Sequence, residues 1–507
     1  MSSPIVFGTS GHRGIIGEGF TAPQVRAVAF AVADYLKSLT PRPQVILGYD
    51  PRQGNDPERR VGSFTQVAVD TLLAQGIDVV FCPDYCPTPV ISWSIVHYGL
   101  QGGLILTASH NPPMYNGIKF NPQNGAPAPS DVTTQIQDLA NGYLHQAPSP
   151  VLMPGTLTIL NPIPDFAKAL ATLVRAYVPT SFHAETLLAI DTKHGATAST
   201  WEALCHHLQV RPKFVHQEPS STFEGIDTNP TQISSLTALR ALVVEKWMMM
   251  GCSNDPDGDR HLVVDETGTP LTPEETALII AQFFLDQGYP LSGIASTVAS
   301  SAILRLFCEE NRLAYFETAV GFKYFAPYFE AAQAAGTVVM GVESSGGFSL
   351  SSHTLEKCGF LPVLLVLGIC QQTGISVSDW VKRIHDRYGD FYFLETSQTV
   401  SEAQKDTLRS YIQAPSAAVL QTFFAMPLDK VSTEDGLKLH FEADTAWVLL
   451  RLSGTEPVAR VYVESRSEVT SQILLAGAQH LFLLPSSHLS AVFFVLVFAH
   501  FFTTFFN

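Results

Sequence analysis

Apolar residues recur along this chain with two different spacings. Over 24–38, Val25, Val28, Ala29, Val32 and Leu36 recur at three- and four-residue intervals, which predicts a helix with one broad apolar side. Val45 to Tyr49 is a short apolar run closed by Asp50-Pro51-Arg52, the pattern of a strand and its exit. A helix is predicted across 57–75, with further strands at Ile77–Phe81 and Leu104–Thr107. Strands alternating with helices predict layered α/β packing. Chemistry is then expected at strand ends, where loops sit on a rigid support.

The 507 residues are too many for one core. A loop-like stretch, HQAPSPVLMPG, follows an amphipathic segment near Tyr143 and closes a first unit, 1–145. A second unit, 155–265, contains the strand Thr186–Asp191 and runs through the core-like Met248-Met249-Met250 into an acidic loop. Thr272-Pro273-Glu274 carries an N-cap signal in a third unit, 266–385, with strands near 294–298 and 337–341 and the apolar helix Leu361–Cys370. A fourth unit, 390–484, has strands around Gly436–Glu442, Ala446–Leu450 and Ala459–Val463. No internal repeat is evident by eye, although the first three units are open to a shared architecture.

Charge narrows the function. Thirty basic and 46 acidic side chains give a formal charge of -16, which argues against a nucleic-acid surface. An anionic small molecule stays open, because a few arginines in a cleft outweigh a negative exterior locally. The seven cysteines have no disulfide spacing and fit a reducing, cytoplasmic setting. Cys82 and Cys86 lack the second pair a metal site would need. The N-terminus shows no secretory signal. From 485 to 507 the chain is a hydrophobic tail, including LSAVFFVLVFAHFFTTFF at 489–506. That run is near the lower length for crossing a bilayer, and His500, Thr503 and Thr504 interrupt it. It reads as a packed or loosely ordered tail, with membrane association and a tail altered from a functional ancestor as alternatives.

Four segments carry candidate chemistry. Ser109, in Thr107-Ala108-Ser109-His110-Asn111-Pro112, follows a strand and is a candidate phosphoryl carrier, with His110 and Lys119 at hand for protons or phosphate. Alone, this segment reads equally as a turn or helix cap. Asp255, Asp257 and Asp259 alternate with Pro256 and Gly258, a loop spacing that lets carboxylates converge on a hard cation such as Mg²⁺, and Arg260 adds a fork for phosphate. A solvated acidic turn is the alternative. Gly341 to Gly347 is a flexible loop whose Glu343 and Ser345 can bind sugar hydroxyls, or is simply a turn. Arg451, Ser453, Gly454 and Thr455 form an anion loop without the lysine spacing of a nucleotide P-loop, so ATP use does not follow; a surface turn is the alternative. Arg13 in GTSGHRG can neutralise a phosphate at Ser109, and Lys323 is a substrate contact or an ordinary surface lysine.

Together, TASHNP at 107–112, DPDGDR at 255–260 and SGTEP at 453–457 resemble the α-D-phosphohexomutase superfamily over about residues 5–470. The resemblance implies four domains around a cleft: three related α/β domains and a C-terminal TATA-binding-protein-like α+β domain. It implies that Ser109 is a phosphoserine and holds Mg²⁺ with Asp255, Asp257 and Asp259. Lys119 is then the proton-transfer residue, and Arg13, His110 and Arg260 support the phosphate. Glu343 and Ser345 resemble the sugar-binding pair; Arg451, Ser453, Gly454 and Thr455 resemble the site of the non-reacting phosphate. The implied cycle passes through a hexose 1,6-bisphosphate. GTSGHRG resembles glucose-type enzymes, while the sugar loop and GFKYF resemble glucomutases and some mannomutases or pentomutases; phosphoglucomutase is preferred over phosphomannomutase. Ser344, Leu452 and Cys358 depart from the family pattern, and the hydrophobic tail has no counterpart in it.

Overall fold

The computed structural model describes residues 3–9, 11–145, 153–180, 182, 186–443, 445–452 and 458–481. Ser453, Gly454, Thr455 and the hydrophobic tail therefore lie outside the described residues. The chain divides into two units, Met1–Gly389 and Asp390–Asn507.

The first unit contains three sheets. Strands β1 (Phe7–Gly8), β2 (Gly11–Ile15), β3 (Gln44–Tyr49), β4 (Asp78–Phe81), β5 (Gly102–Leu106), β6 (Tyr115–Pro122) and β7 (Leu157–Ile159) form the first, in the order β1-β2-β6-β5-β3-β4-β7. The second is built from β8 (Leu187–Asp191), β9 (Arg211–Val215), β10 (Met250–Asn254) and β11 (His261–Val264), in the order β11-β10-β8-β9. The third takes β12 (Leu291–Thr297), β13 (Ala314–Thr318), β14 (Val338–Val342) and β15 (Phe348–Leu350), in the order β13-β12-β14-β15.

One topology recurs. In each sheet the first strand of a set pairs in parallel with the second and third, and the fourth returns antiparallel beside the third. The set is β3 to β6 in the first sheet, β8 to β11 in the second and β12 to β15 in the third. This repeat was invisible by eye because it is one of strand order, which many apolar sequences satisfy.

Side chains alternate across the first sheet. Val45, Leu47 and Tyr49 face a core shared with α1 (Ala22–Leu39), where Val25, Val28, Val32 and Leu36 are fully buried. On the opposite face Gly48 and Gly103 let Ile91 and Ile95 of α3 (Thr88–His97) approach the strands closely. Between β3 and α3, the helix expected over 57–75 starts only at Phe64, as α2 (Phe64–Ala74). Its N-cap is Ser63, which accepts from Gln66 N, and Asp56 instead binds the backbone N–H groups of Glu58 and Arg60. Local side-chain bonding thus outcompetes the helix at 57–63. The methionine run does enter a core: Met248 and Met250 are buried, whereas Trp247 at φ +54 is exposed.

The second unit is an antiparallel sheet of β16 (Tyr392–Thr399), β17 (Lys430–Ser432), β18 (Leu437–Phe441), β19 (Ala446–Leu452) and β20 (Val458–Ser465), ordered β16-β20-β19-β18-β17. The helix Glu468–His480 packs against it through Leu474 and Ala478. Four mixed α/β and α+β modules agree with the expected class.

Candidate active site

Loops leaving the carboxyl ends of β4, β5, β10 and β14 converge within the first unit, as expected for ligand sites in open α/β sheets. Ser109 lies just past β5 with a left-handed φ of +52. Its hydroxyl donates to Asp255 Oδ2 at 2.6 Å, and its N–H donates to Thr107 Oγ1 at 2.8 Å. His110 Nδ1 is 3.5 Å from the Ser109 hydroxyl. Burial, then Arg260, Arg13 and Lys357, drive the His110 pKa well below the ordinary histidine value.

Asp255, Asp257 and Asp259 follow β10, and one oxygen of each lies within 4.8 Å of the others. All three are buried, and Asp257 Oδ1 and Asp259 Oδ1 have no hydrogen-bond partner. Three hard oxygen donors with two buried lone-pair sites unmet fit a divalent cation. Burial and the charges of Asp257 and Asp259 push the Asp255 carboxyl well above the usual range. Lys119, on β6, offsets the other two: its Nζ lies 2.6 Å from Asp257 Oδ2 and 2.8 Å from Asp259 Oδ2. Burial alone lowers the lysine pKa, but Asp257, Asp259 and Glu356 outweigh it and hold Lys119 as ammonium, above its ordinary value.

Backbone contacts lock the loops together. Thr88 at the start of α3 donates its N–H to Asp257 O at 2.8 Å and its hydroxyl to Asp257 Oδ2 at 2.7 Å. His261 N donates to Gly346 O at 2.9 Å, and Gly359 N to Gly258 O at 3.0 Å. Gly346 has φ +93, and a Cβ there would sit 2.4 Å from the His261 carbonyl oxygen, so the loop carrying Glu343 reaches the acidic loop only through glycine.

The other expected residues are spread over several contacts. Arg13 Nη1 donates to Asn111 Oδ1 at 2.8 Å. Arg260 N donates to Asp255 Oδ1 at 3.0 Å, and its buried Nε has no hydrogen-bond partner. Glu343 is buried with Oε2 3.8 Å from Lys357 Nζ, and Ser345 is half-buried beside it. Lys323 Nζ donates to Ser130 Oγ at 2.9 Å. In the second unit Arg451 Nη2 pairs with Asp435 Oδ2 at 2.9 Å.

Several members of this cluster escaped the sequence reading. Thr88 sits in an ordinary helix-start context, and nothing in its neighbours signals a partner 169 positions away. Lys357 Nζ lies 3.6 Å from Asp259 Oδ2 and so spans the acidic loop and Glu343. Glu356 accepts from Asn121 Nδ2 at 3.1 Å. In the sequence Arg52 marks only a strand exit.

Sequence profiles agree with this geometry. Residues 4–146, 164–268 and 272–388 match alpha/beta/alpha domains I, II and III of phosphoglucomutase/phosphomannomutase, and 428–473 match the C-terminal domain. The chain belongs to the phosphoglucomutase/phosphomannomutase family. As a phosphohexomutase it is an intramolecular phosphotransferase. It is 27% identical over 466 residues to a phosphoglucomutase/phosphomannomutase of Thermococcus kodakarensis, covering 91% of this chain and 95% of that one. It is 26% identical over 503 residues to a phosphoglucomutase of Komagataeibacter xylinus, covering 91% and 87%. Among solved structures, a protein of Thermus thermophilus provisionally named a phosphomannomutase superposes with a TM-score of 0.79 at 26% identity, covering 95% of this phosphohexomutase and 99% of that chain. An Aspergillus fumigatus N-acetylphosphoglucosamine mutase in complex with GlcNAc-6P and magnesium shares the fold, with a TM-score of 0.59 at 15% identity, covering 95% of each chain. Among the described residues no single helix is long and apolar enough to cross a membrane.

Proposed function

We propose that this phosphohexomutase is a phosphoglucomutase that interconverts glucose 1-phosphate and glucose 6-phosphate through phosphoserine at Ser109. The observation that carries the reading is the Ser109 hydroxyl held 2.6 Å from Asp255 at the edge of a buried carboxylate triplet. In the first transfer the bond from phosphorus to Ser109 Oγ breaks and a bond to a sugar hydroxyl oxygen forms. The resulting hexose 1,6-bisphosphate turns round, and its other phosphate returns to Ser109. One proton leaves the attacking hydroxyl and one reaches the departing oxygen in each transfer, and because the second transfer restores the phosphoserine the cycle consumes no ATP.

Lys119 is the proposed proton-transfer residue. Its ammonium form is held by Asp257 and Asp259 and is suited to protonating a departing oxygen. Arg13, His110 and Arg260 are proposed to hold the transferring phosphate, Glu343, Ser345 and Lys323 the sugar, and Arg451 with Ser453, Gly454 and Thr455 the phosphate that does not react. Ser109, Asp255, Asp257 and Asp259 would hold Mg²⁺, which when bound offsets charge on the transferring phosphoryl oxygens. A cytoplasmic location is inferred from seven free thiols, all buried.

The relative from Thermococcus carries both sugar names, which supports phosphomannomutase or dual specificity as the second reading. Phosphorus NMR with Mg²⁺, trace hexose 1,6-bisphosphate and either glucose 1-phosphate or mannose 1-phosphate separates them. Faster glucose turnover, lost in Ser109→Ala, is expected. Equal turnover means a dual-specificity enzyme, a mannose preference reverses the reading, and full activity of Ser109→Ala removes the carrier role.

A further inference from the structure

We infer that Arg52 is a positioning residue for phosphoryl transfer, setting the direction of the Ser109 side chain from behind the loop. The inference rests on Ser109 being the phosphoryl carrier. Arg52 is fully buried, and each of its five N–H groups has a matching acceptor. Nε donates to Asp50 Oδ2 at 3.0 Å. Nη1 donates to the carbonyls of Pro112 at 2.9 Å and Tyr115 at 3.0 Å. Nη2 donates to the carbonyls of Asn111 at 2.7 Å and Ser109. The guanidinium also lies 4.8 Å from the centre of the Phe223 ring. With Asp50 offsetting its charge and every donor committed, Arg52 has nothing left to offer a phosphate. What it binds is the backbone of 109–115.

The peptide groups on both sides of the Ser109 Cα are fixed by one ion pair. On the carbonyl side Arg52 holds Ser109 O. On the amide side Ser109 N–H donates to Thr107 Oγ1, and the Thr107 hydroxyl donates in turn to Asp50 Oδ2 at 2.6 Å. Ser109 sits at φ +52, a region that L residues rarely adopt. Pinning both peptides there dictates the direction of the Cα–Cβ bond, and that direction delivers Oγ to Asp255. A lysine has three donors on a point charge and cannot reproduce the planar five-donor fork.

The test uses the full-length protein with glucose 1,6-bisphosphate, following phosphate appearing on Ser109 by rapid quench and peptide mass, alongside kcat and KM for glucose 1-phosphate. Arg52→Lys is expected to slow labelling and kcat by about 100-fold, the scale of an ångström-level misplacement, with KM changed by less than about threefold because no substrate contact is lost. A folded Arg52→Lys that is labelled at the wild-type rate overturns the inference, as does a KM that rises as steeply as kcat falls. Should Arg52→Lys lose its near-UV circular dichroism, Asp50→Asn, which frees Thr107 and Arg52 together, is judged by the same two criteria. Wild-type protein that turns over without label on Ser109 refutes the carrier reading itself, an outcome distinct from wild-type labelling that persists in the variants.

Discussion

Replacing Lys119 with methionine keeps most of the unbranched side chain and removes its charge. In the native site the ammonium is 4% exposed and touches Asp257 and Asp259 at 2.6 and 2.8 Å. Without it Asp257 retains the Thr88 hydroxyl, and Asp259 retains Lys357 at 3.6 Å. Leaving a buried charge without its partner costs about 3–5 kcal/mol. Unfolding entropy is about 2.1 cal/mol/K per residue, so a unit spanning Met1–Gly389 unfolds with about 0.8 kcal/mol/K. The two figures together predict a drop in Tm of about 4–6 °C in EDTA. Millimolar Mg²⁺ should narrow the gap, because a cation in the triplet offsets the same carboxylates. Activity should stay about 10²–10⁴-fold low even where Mg²⁺ restores the Tm, if the ammonium transfers a proton. Differential scanning calorimetry in EDTA and in Mg²⁺, beside the phosphorus NMR assay, reads all three effects. A Lys119→Met protein melting within about 1 °C of wild type in EDTA would refute the argument that the triplet depends on this ammonium.

Two further perturbations test other parts of the site. Burial pushes the Glu356 carboxyl up from 4.5 to about 7, against the pull of Lys119 and Lys357. A raised carboxyl binds its proton more tightly when folded, so the Glu356 contribution to stability is fully present below pH 4.5 and falls by about 3 kcal/mol as pH rises to about 7. Glu356→Gln keeps an acceptor for Asn121 but does not titrate; its Tm should decline less than that of wild type between about pH 5 and pH 8, and parallel declines would remove Glu356 as the source. Gly346→Ala places a methyl group 2.4 Å from the His261 carbonyl oxygen at φ +93. The dihedral alone costs about 1–3 kcal/mol, and parting the two loops should raise the KM for sugar phosphate while Ser109 is still phosphorylated by bisphosphate; an unchanged KM would show that Glu343 does not depend on this seam.

Much of the site was legible in the sequence because its chemistry lies in short contiguous runs. Asp255, Asp257 and Asp259 are so close along the chain that any loop holding them brings their carboxylates near one another. Ser109 follows closely on an apolar strand, which sets it at the carboxyl end of the sheet whatever packs around it. The helical spacing of Val25, Val28, Val32 and Leu36 predicted a buried face, and those residues are fully buried. The miss in helix length came where local side-chain bonds competed with the helix. Pro57 is compatible with a helix start at the head of 57–63, yet Asp56 and Ser63 draw the backbone into turns and the helix starts at Phe64.

What the sequence determined by itself was the set of candidate reacting groups and the alternation of strands and helices, since both depend on neighbours in the chain. Tertiary structure alone decided how those groups are charged and aimed. Lys119 is an ammonium because two aspartates about 140 positions away are buried against it. Arg52 is a scaffold and not an anion ligand because four carbonyls from 109–115 and Asp50 take all its donors. Thr88 and Gly346 matter only through the loops that press on them. Desolvation, donor saturation and backbone clearance are properties of a packed interior, and no local run of residues encodes them.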